Sequence, residues 1–394
     1  MNSTALHEDV SGNPREPGKP LFPFLDLKAQ FACLRDEIMA AMVQVMESQQ
    51  FILGGEVQQF ETEIAAKLQV QHAVGCASGT DALILALMAA GIGAGDEVVT
   101  TPFSFVATAG AIVQVGAKPV FVDIDPATFN LDPKLLEAAL TPKTRAILPV
   151  HLFGLPAEMD AILEIAGAHK LLVIEDAAQA IGAKYKERCV GGIGDFGCFS
   201  FFPSKNLGAA GDGGLITTNN SAMAERLRMI RVHGSSRKYF HEMQGINSRL
   251  DALQAAILRV KLRYLDGWAA ARAAHAERYR GLCEARGLTQ FISSPARRST
   301  SVHVYNQFTI RAKRRDGLKS FLAAAGIPSE IYYPLCLHLQ KAFSSFGFHS
   351  GQFPVAEQAS REVLSLPVFP ELRTDHQDAV MRGIAEFYES QGKS

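Results

Sequence analysis

Lys205 stands in the run Ser200-Phe201-Phe202-Pro203-Ser204-Lys205-Asn206, which leads into the glycine-rich Gly208-Ala209-Ala210-Gly211-Asp212-Gly213-Gly214. A lysine on a short loop, flanked by aromatics and glycines, is placed to lose part of its hydration. Desolvation lowers a lysine pKa and makes the amine nucleophilic, although an isolated loop lysine is ordinarily solvated surface. A second cluster, Glu175-Asp176-Ala177-Ala178-Gln179, follows the apolar run Leu171-Leu172-Val173-Ile174. Charges so close to a sheet core are costly unless paired, and strand alternation sends Glu175 and Asp176 to opposite faces. Only one of them can enter a given site; a buried ion pair or a helix cap is the plain alternative. Ala77-Ser78-Gly79-Thr80-Asp81 reads as a helix start whose small residues leave backbone N–H groups free for an anion, or simply as a capped helix. Gly245-Ile246-Asn247-Ser248-Arg249-Leu250-Asp251, taken alone, is a helix cap.

Some chemistries find no support. Gly192-x-Gly194-x-x-Gly197 has the letters of a dinucleotide fingerprint, but it precedes a strand instead of following one and opening a helix, so it fails the context that motif needs. There is no His-Glu-x-x-His helix and no phosphate loop ending in Gly-Lys-Ser/Thr, and the eleven histidines show no ligand spacing. No metal is expected.

The elements that position these clusters alternate. Strands are expected at 74–76, 97–100, 119–124, 146–150 and 171–174, with helices over 82–90, 106–115, 132–140 and 158–169 between them. Apolar strands separated by helices predict a parallel sheet covered on both faces. In such sheets ligands bind beyond the carboxyl ends of the strands, where the polar clusters fall. Two further strands, 196–201 and 214–218, precede a helix from Ser221 to about Val232. A long helix is expected over 250–283, then a strand at 302–311 and helices near 316–325 and 375–389. This is a large α/β unit over residues 21–262, a smaller α+β unit over 263–394, and a disordered lead-in over 1–20.

Composition agrees with an enzyme. The 394 residues carry 39 basic and 40 acidic side chains, a net charge of −1, so nothing drives counterion release from nucleic acid or attraction to anionic membranes. The longest uncharged apolar run, Ala82 to Ala94, is thirteen residues with two glycines, short of the ~20 that span a bilayer. Six cysteines without a Cys-x-x-Cys read as reduced thiols of a cytosolic protein.

Five ordered motifs then resemble one family: Ser-Gly-Thr-Asp-Ala-Leu (78–83), Thr-Pro-Phe-Ser-Phe-Val-Ala-Thr (101–108), Phe-Val-Asp-Ile-Asp-Pro (121–126), Glu-Asp-Ala-Ala-Gln (175–179) and Ser-Phe-Phe-Pro-Ser-Lys-Asn-Leu-Gly (200–208). Together they look like the DegT/DnrJ/EryC1/StrS sugar aminotransferases, which use pyridoxal 5'-phosphate on an aspartate-aminotransferase-like, fold-type I scaffold. The resemblance runs from about Leu25 to Leu372. It implies that Lys205 holds the cofactor through its amine and, once freed, moves the substrate proton as general base. It implies Asp176 at the pyridine nitrogen, Gln179, one helical turn on, near the ring hydroxyl, and Phe105 stacked on the ring. Gly79, Thr80 and Ser200 would hold the phosphate, with Asn247 reaching it from a second subunit of a homodimer. A related branch with histidine at the Lys205 position dehydrates sugars; lysine selects transamination.

The run 247–262 looks most like members acting on 3-keto nucleotide sugars, dTDP- or UDP-linked, with L-glutamate as donor. Members acting on 4-keto sugars or keto-inositols, and a PLP-binding regulator, are the alternatives. Departures are Gly-Ile-Asn (245–247) where many relatives have Gly-Tyr-Asn, and Gly54-Gly55 in place of Gly-Pro. Arg249, His233, Tyr239, His241, Tyr333 and His338 are candidates for binding the donor carboxylate.

Overall fold

The computed structural model describes residues 20–391; the expected N-terminal extension, Pro20 apart, lies outside them. The chain opens with α1 (Leu27–Ser48), capped by Asp26, whose carboxylate accepts from Ala29 N at 2.9 Å, and α2 (Gly55–Leu68). Then come β1 (His72–Cys76), α3 (Gly79–Ala89), β2 (Glu97–Thr100), α4 (Val106–Gln114), β3 (Lys118–Phe121), β4 (Thr144–Ile147), α5 (Met159–His169), β5 (Leu172–Asp176), β6 (Phe196–Ser200), β7 (Gly214–Thr218) and α6 (Ser221–Ile230). The seven strands form one sheet in the order β1-β7-β6-β5-β4-β2-β3. Only β7 runs against its neighbours, β1 and β6; the other pairs are parallel.

This one reversal matters for the site. Because β1 and β6 are each antiparallel to β7, they point the same way as β5, β4 and β2. The carboxyl ends of β1, β2, β5 and β6 therefore share one edge, and the register places Cys76, Gly214 and Ser200 in one row across three strands. Side chains on both faces of these strands are buried, and helices α3 and α6 pack one face through Leu83, Leu87, Leu227 and Ile230. The other face packs against Phe60, Ile64 and Leu258.

After the sheet come α7 (Ala252–Leu262) and α8 (Leu265–Ala285). The expected single helix over 250–283 is thus two helices, broken at Arg263-Tyr264. Both residues at the break bind Glu37 of α1, a long-range contact that apolar periodicity cannot report. A three-stranded antiparallel sheet, β8 (Ile292–Ser293), β9 (Phe308–Ala312) and β10 (Val363–Leu366), lies beyond. It shares a separate core with α8, α9 (Arg315–Ala324) and α11 (Thr374–Gln391), and Phe22 joins that core from the N-terminal end. The strand expected at 302–311 is also interrupted: residues 301–302 pair with Lys184-Tyr185, and β9 starts only at Phe308. Between them the carbonyls of Tyr305 and Asn306 turn to the guanidinium of Arg272. The helix expected over 132–140 is a 3₁₀ turn at 133–135 followed by one α-turn at 136–139. The helix α10 (Pro354–Glu362) starts on Asp123, whose carboxylate accepts from Val355 N and Ala356 N, each at 2.9 Å.

Candidate functional site

Asp176 ends β5 and is buried. Its Oδ2 accepts from the Thr108 hydroxyl at 2.8 Å, and Oδ1 accepts from Ala178 N at 3.2 Å. Burial pushes its pKa up; the Thr108 hydroxyl, the Ala178 N–H and the charge of Lys205 pull the other way. Thr108, held in turn by Ser104 at 2.8 Å, is a partner that sequence reasoning left without a role. Its only signal is its place in the Thr101–Thr108 motif.

Glu175 goes to the opposite side, as strand alternation requires, and there it serves structure. Its Oε1 accepts from Ile193 N (2.8 Å) and Gly194 N (2.7 Å), and its Oε2 from Gly191 N (2.8 Å) and His151 Nε2 (2.9 Å). His151 Nδ1 accepts from Ala157 N at 3.0 Å, so Nε2 carries the proton. The glycine run that resembled a dinucleotide loop thus wraps a carboxylate of the protein itself. Gly197 is needed there because a Cβ would lie 2.2 Å from the Cα of Gly191.

Lys205 sits in a loop closed by Lys205 N donating to Phe202 O and Ala209 N to Phe201 O, both at 2.8 Å. Gly208 permits the closure, since a Cβ would sit 2.3 Å from Pro203 O. The Lys205 amine has no hydrogen-bond or ion-pair partner among the described residues. Desolvation pulls its pKa down to about 8, and Asp176 partly opposes this from across the site.

The start of α3 completes the constellation. Ser78 caps it by accepting from Asp81 N at 3.1 Å. The N–H groups of Gly79 and Thr80 have no partner among the described residues, as expected of a first helical turn. Ser200 presses against them: a Cβ on Gly79 would lie 2.6 Å from the Ser200 Cβ. Backbone donors, a hydroxyl and the positive end of an eleven-residue helix make a seat for a phosphate.

Gln179 lies in a turn closed by Ala180 N on Ala177 O at 2.9 Å, so the helical turn expected there is absent. Its Oε1 accepts from Phe153 N at 2.7 Å, which fixes Nε2 toward the Tyr333 hydroxyl at 3.0 Å. Phe105, at the head of α4, is 56% exposed, with its ring centroid 6.4 Å from that of Tyr333. Lys205, Asp176, Gln179, Phe105, Gly79, Thr80 and Ser200 therefore share the strand-end edge, and Tyr333 joins them. Asn247 is exposed on a shallow depression with Ala77 and Arg249. Its neighbour Ser248 donates to Asp81 Oδ2 at 2.7 Å and accepts from Ala77 N at 3.2 Å. Other candidates fall elsewhere. His233, Tyr239 and His241 are exposed on or beside the 235–241 hairpin. His338 is buried against Glu357 (3.2 Å) and Phe353, which makes it a core residue.

The residues fit pyridoxal phosphate: an anion seat, a desolvated amine free of protein partners and a buried carboxylate lie on one edge. Known proteins agree. The model of the DegT/DnrJ/EryC1/StrS aminotransferase family matches residues 32–385. A pleiotropic regulatory protein of Geobacillus stearothermophilus is 54% identical, over 93% of this chain and 98% of its own. The UDP-N-acetyl-3-dehydro-alpha-D-glucosamine 3-aminotransferase of Acidithiobacillus ferrooxidans is 49% identical, over 90% and 94%. Among solved structures, DesV of Streptomyces venezuelae superposes with a TM-score of 0.90 at 45% identity, covering 93% of this chain and 98% of its own. NtdA of Bacillus subtilis, solved with bound cofactor PMP, gives 0.88 at 33% identity, covering 95% and 86%.

Proposed function

The chain belongs to the DegT/DnrJ/EryC1/StrS aminotransferase family, and from that premise we propose that it moves an amino group from L-glutamate to a 3-keto nucleotide sugar, dTDP- or UDP-linked. The product is an amino-deoxy sugar nucleotide for a surface polysaccharide or a glycosylated product. The observation that carries the reading is the desolvated, unpartnered Lys205 amine facing buried Asp176 beside the free N–H groups of α3. The 3-dehydro sugar named for the Acidithiobacillus relative supports the ring position.

Pyridoxal phosphate, when bound, supplies the aldehyde that carries the amino group and a ring that delocalises the electrons left by deprotonation. Gly79 and Thr80 N–H and the Ser200 hydroxyl would hold the phosphate, and Phe105 would cover the ring. Gln179 Nε2 would serve the ring hydroxyl. Asp176 would face the ring nitrogen and favour its protonation, while Thr108 and Ala178 N–H favour the charged carboxylate against the opposing effect of burial. Lys205 would hold the cofactor through its amine, and once freed that amine would take and return the proton at the donor carbon.

We further read the protein as a cytoplasmic homodimer in which Asn247 completes the partner's phosphate site. Exposed Phe31, Met39, Val43 and Met46 on α1, with Phe105 and Phe202, support a second copy covering them. Five buried free thiols support a reducing compartment, and no helix among the described residues is long and apolar enough to cross a membrane. Residues 21–262 are read as the cofactor-binding unit and 263–394 as the smaller one; each has a core largely of its own, and shared clusters around Phe103 and Phe121 join the two.

The test is the absorbance spectrum of the cofactor-loaded protein before and after L-glutamate. Loss of the long-wavelength band, restored by one member of a panel of 3-keto and 4-keto nucleotide sugars and keto-inositols, supports the reading and names the ring position. A band that no amino donor changes favours the second reading, a cofactor-binding regulator, which the Geobacillus relative's name suggests.

A further inference from the structure

Arg272 lies in the middle of α8 and is only 3% exposed. Its Nη1 donates to backbone carbonyls, Val368 O at 2.7 Å, Tyr305 O at 3.2 Å and Asn306 O at 3.5 Å. Its Nε has no partner; Nη2 makes no hydrogen bond among the described residues, and no carboxylate there forms an ion pair with the guanidinium. Burial pushes its pKa down to about 10, opposed only through space by Glu371. A buried cation whose compensating carboxylate acts only at a distance is costly, and closing off backbone carbonyls does not require one, since a neutral amide donor would do. Nε is fully covered, so Nη2 is the guanidinium nitrogen left to donate to a ligand, and a charge-assisted bond to a carboxylate is the strong use of it.

Arg272 also lines a cavity of about 330 Å³ with Leu25, Ser204, Asn306, Gln307 and Tyr332. Ser204 directly precedes Lys205, so the cavity reaches the loop that carries the reactive amine. The cavity's lining has a single cation, Arg272. One positive charge and this volume suit a small carboxylate, whereas a nucleoside diphosphate would need more of both.

We propose that Arg272 receives a carboxylate of the amino donor, its Nη2 donating a charge-assisted hydrogen bond and holding the donor beside the Lys205 loop. The proposal rests on the transamination reading above and assigns the donor site within it.

Glutarate, a dicarboxylate with no amino group to transfer, is the probe. Its binding to the cofactor-loaded protein is measured by titration calorimetry for the wild type, Arg272→Lys and Gln307→Glu. Arg272→Lys keeps the charge and cannot both hold the backbone carbonyls that Nη1 serves and present a donor at the position of Nη2. Gln307→Glu puts an isosteric carboxylate on the cavity wall and keeps an acceptor for Asn306 Nδ2, which donates to Gln307 Oε1 at 2.7 Å. Both variants are expected to weaken glutarate at least tenfold and to raise the KM for L-glutamate while leaving that for the keto sugar unchanged. A purely structural arginine would not produce that split. If Arg272→Lys does not fold, Gln307→Glu decides. Absence of glutarate binding to the wild type, unchanged binding in Gln307→Glu, or an equal rise in both KM values overturns the proposal. Turnover of glutamate with Arg272 irrelevant removes only this proposal. Glutarate held through Arg272 with no donor ever turned over removes the transamination reading and leaves a carboxylate site.

Discussion

The pKa of Lys205 gives the sharpest test of the site. An ordinary lysine, at about 10.4, is roughly 0.1% free amine at pH 7.5. At a pKa of about 8, Lys205 is about one-quarter free amine at that pH, an enrichment of roughly two hundredfold. The cause is desolvation, and the opposing influence is the charge of Asp176, so the two can be separated. In the cofactor-free protein, competitive acetylation with trace acetic anhydride from pH 6 to 11, read by peptide mass spectrometry, reports each lysine's titration. Lys205 is expected to titrate with a midpoint near 8, clearly below the solvated lysines. Asp176→Asn removes the one group that raises this pKa, so the midpoint is expected to move lower still. A Lys205 midpoint at about 10 or above, or an upward move in Asp176→Asn, would refute the reasoning that burial rather than the bound cofactor activates this amine.

Other outcomes follow from the same geometry. Lys205→Ala is expected to abolish turnover while the melting temperature and circular dichroism stay near wild type; an active variant would remove Lys205 from the mechanism. Glu175→Ala strands three backbone N–H groups and His151 Nε2, and each unsatisfied buried donor costs about 1–3 kcal/mol, so chemical denaturation is expected to show a loss of at least about 3 kcal/mol. Asp176→Asn, by contrast, keeps an acceptor and is expected to stay within about 1 kcal/mol of wild type while losing activity. Gly79→Ala drives a Cβ to 2.6 Å from Ser200 Cβ, and is expected to weaken pyridoxal phosphate binding at least tenfold in a fluorescence titration. His303 is stacked on Tyr305 and accepts from Tyr305 N at 3.0 Å; desolvation and the nearby Arg280 hold its pKa down, to about 3. The unfolded chain therefore binds the extra proton first, so this histidine's contribution is complete above about pH 6.5 and declines as pH falls toward 3. In His303→Gln, the acid limb of a stability profile should be flatter.

Much of this protein is local in origin, and the sequence alone determined it. Alternating apolar strands and helices require a mainly parallel sheet with its polar clusters at the strand ends. Ser78 and the small residues after it specify a helix start open to an anion. Alternation by two separates Glu175 from Asp176, so one carboxylate faces the site and the other cannot. Each of these depends on a few neighbouring residues, which is the range over which periodicity and capping act.

Tertiary structure decided what depends on distant partners. Periodicity runs straight through Arg263-Tyr264, and only Glu37 on α1 marks the break. The glycines at 191–197 spell a nucleotide loop until Glu175 fills it. Thr108 and Tyr333 enter the site across 68 and 154 residues of chain; the resemblance named Tyr333 as a candidate, but only the packed structure shows what either one touches. The activation of Lys205 and the desolvation of Arg272 are equally invisible in sequence. Both are measures of how much water the surrounding chain has removed, and desolvation is a property of the packed whole that no single segment carries.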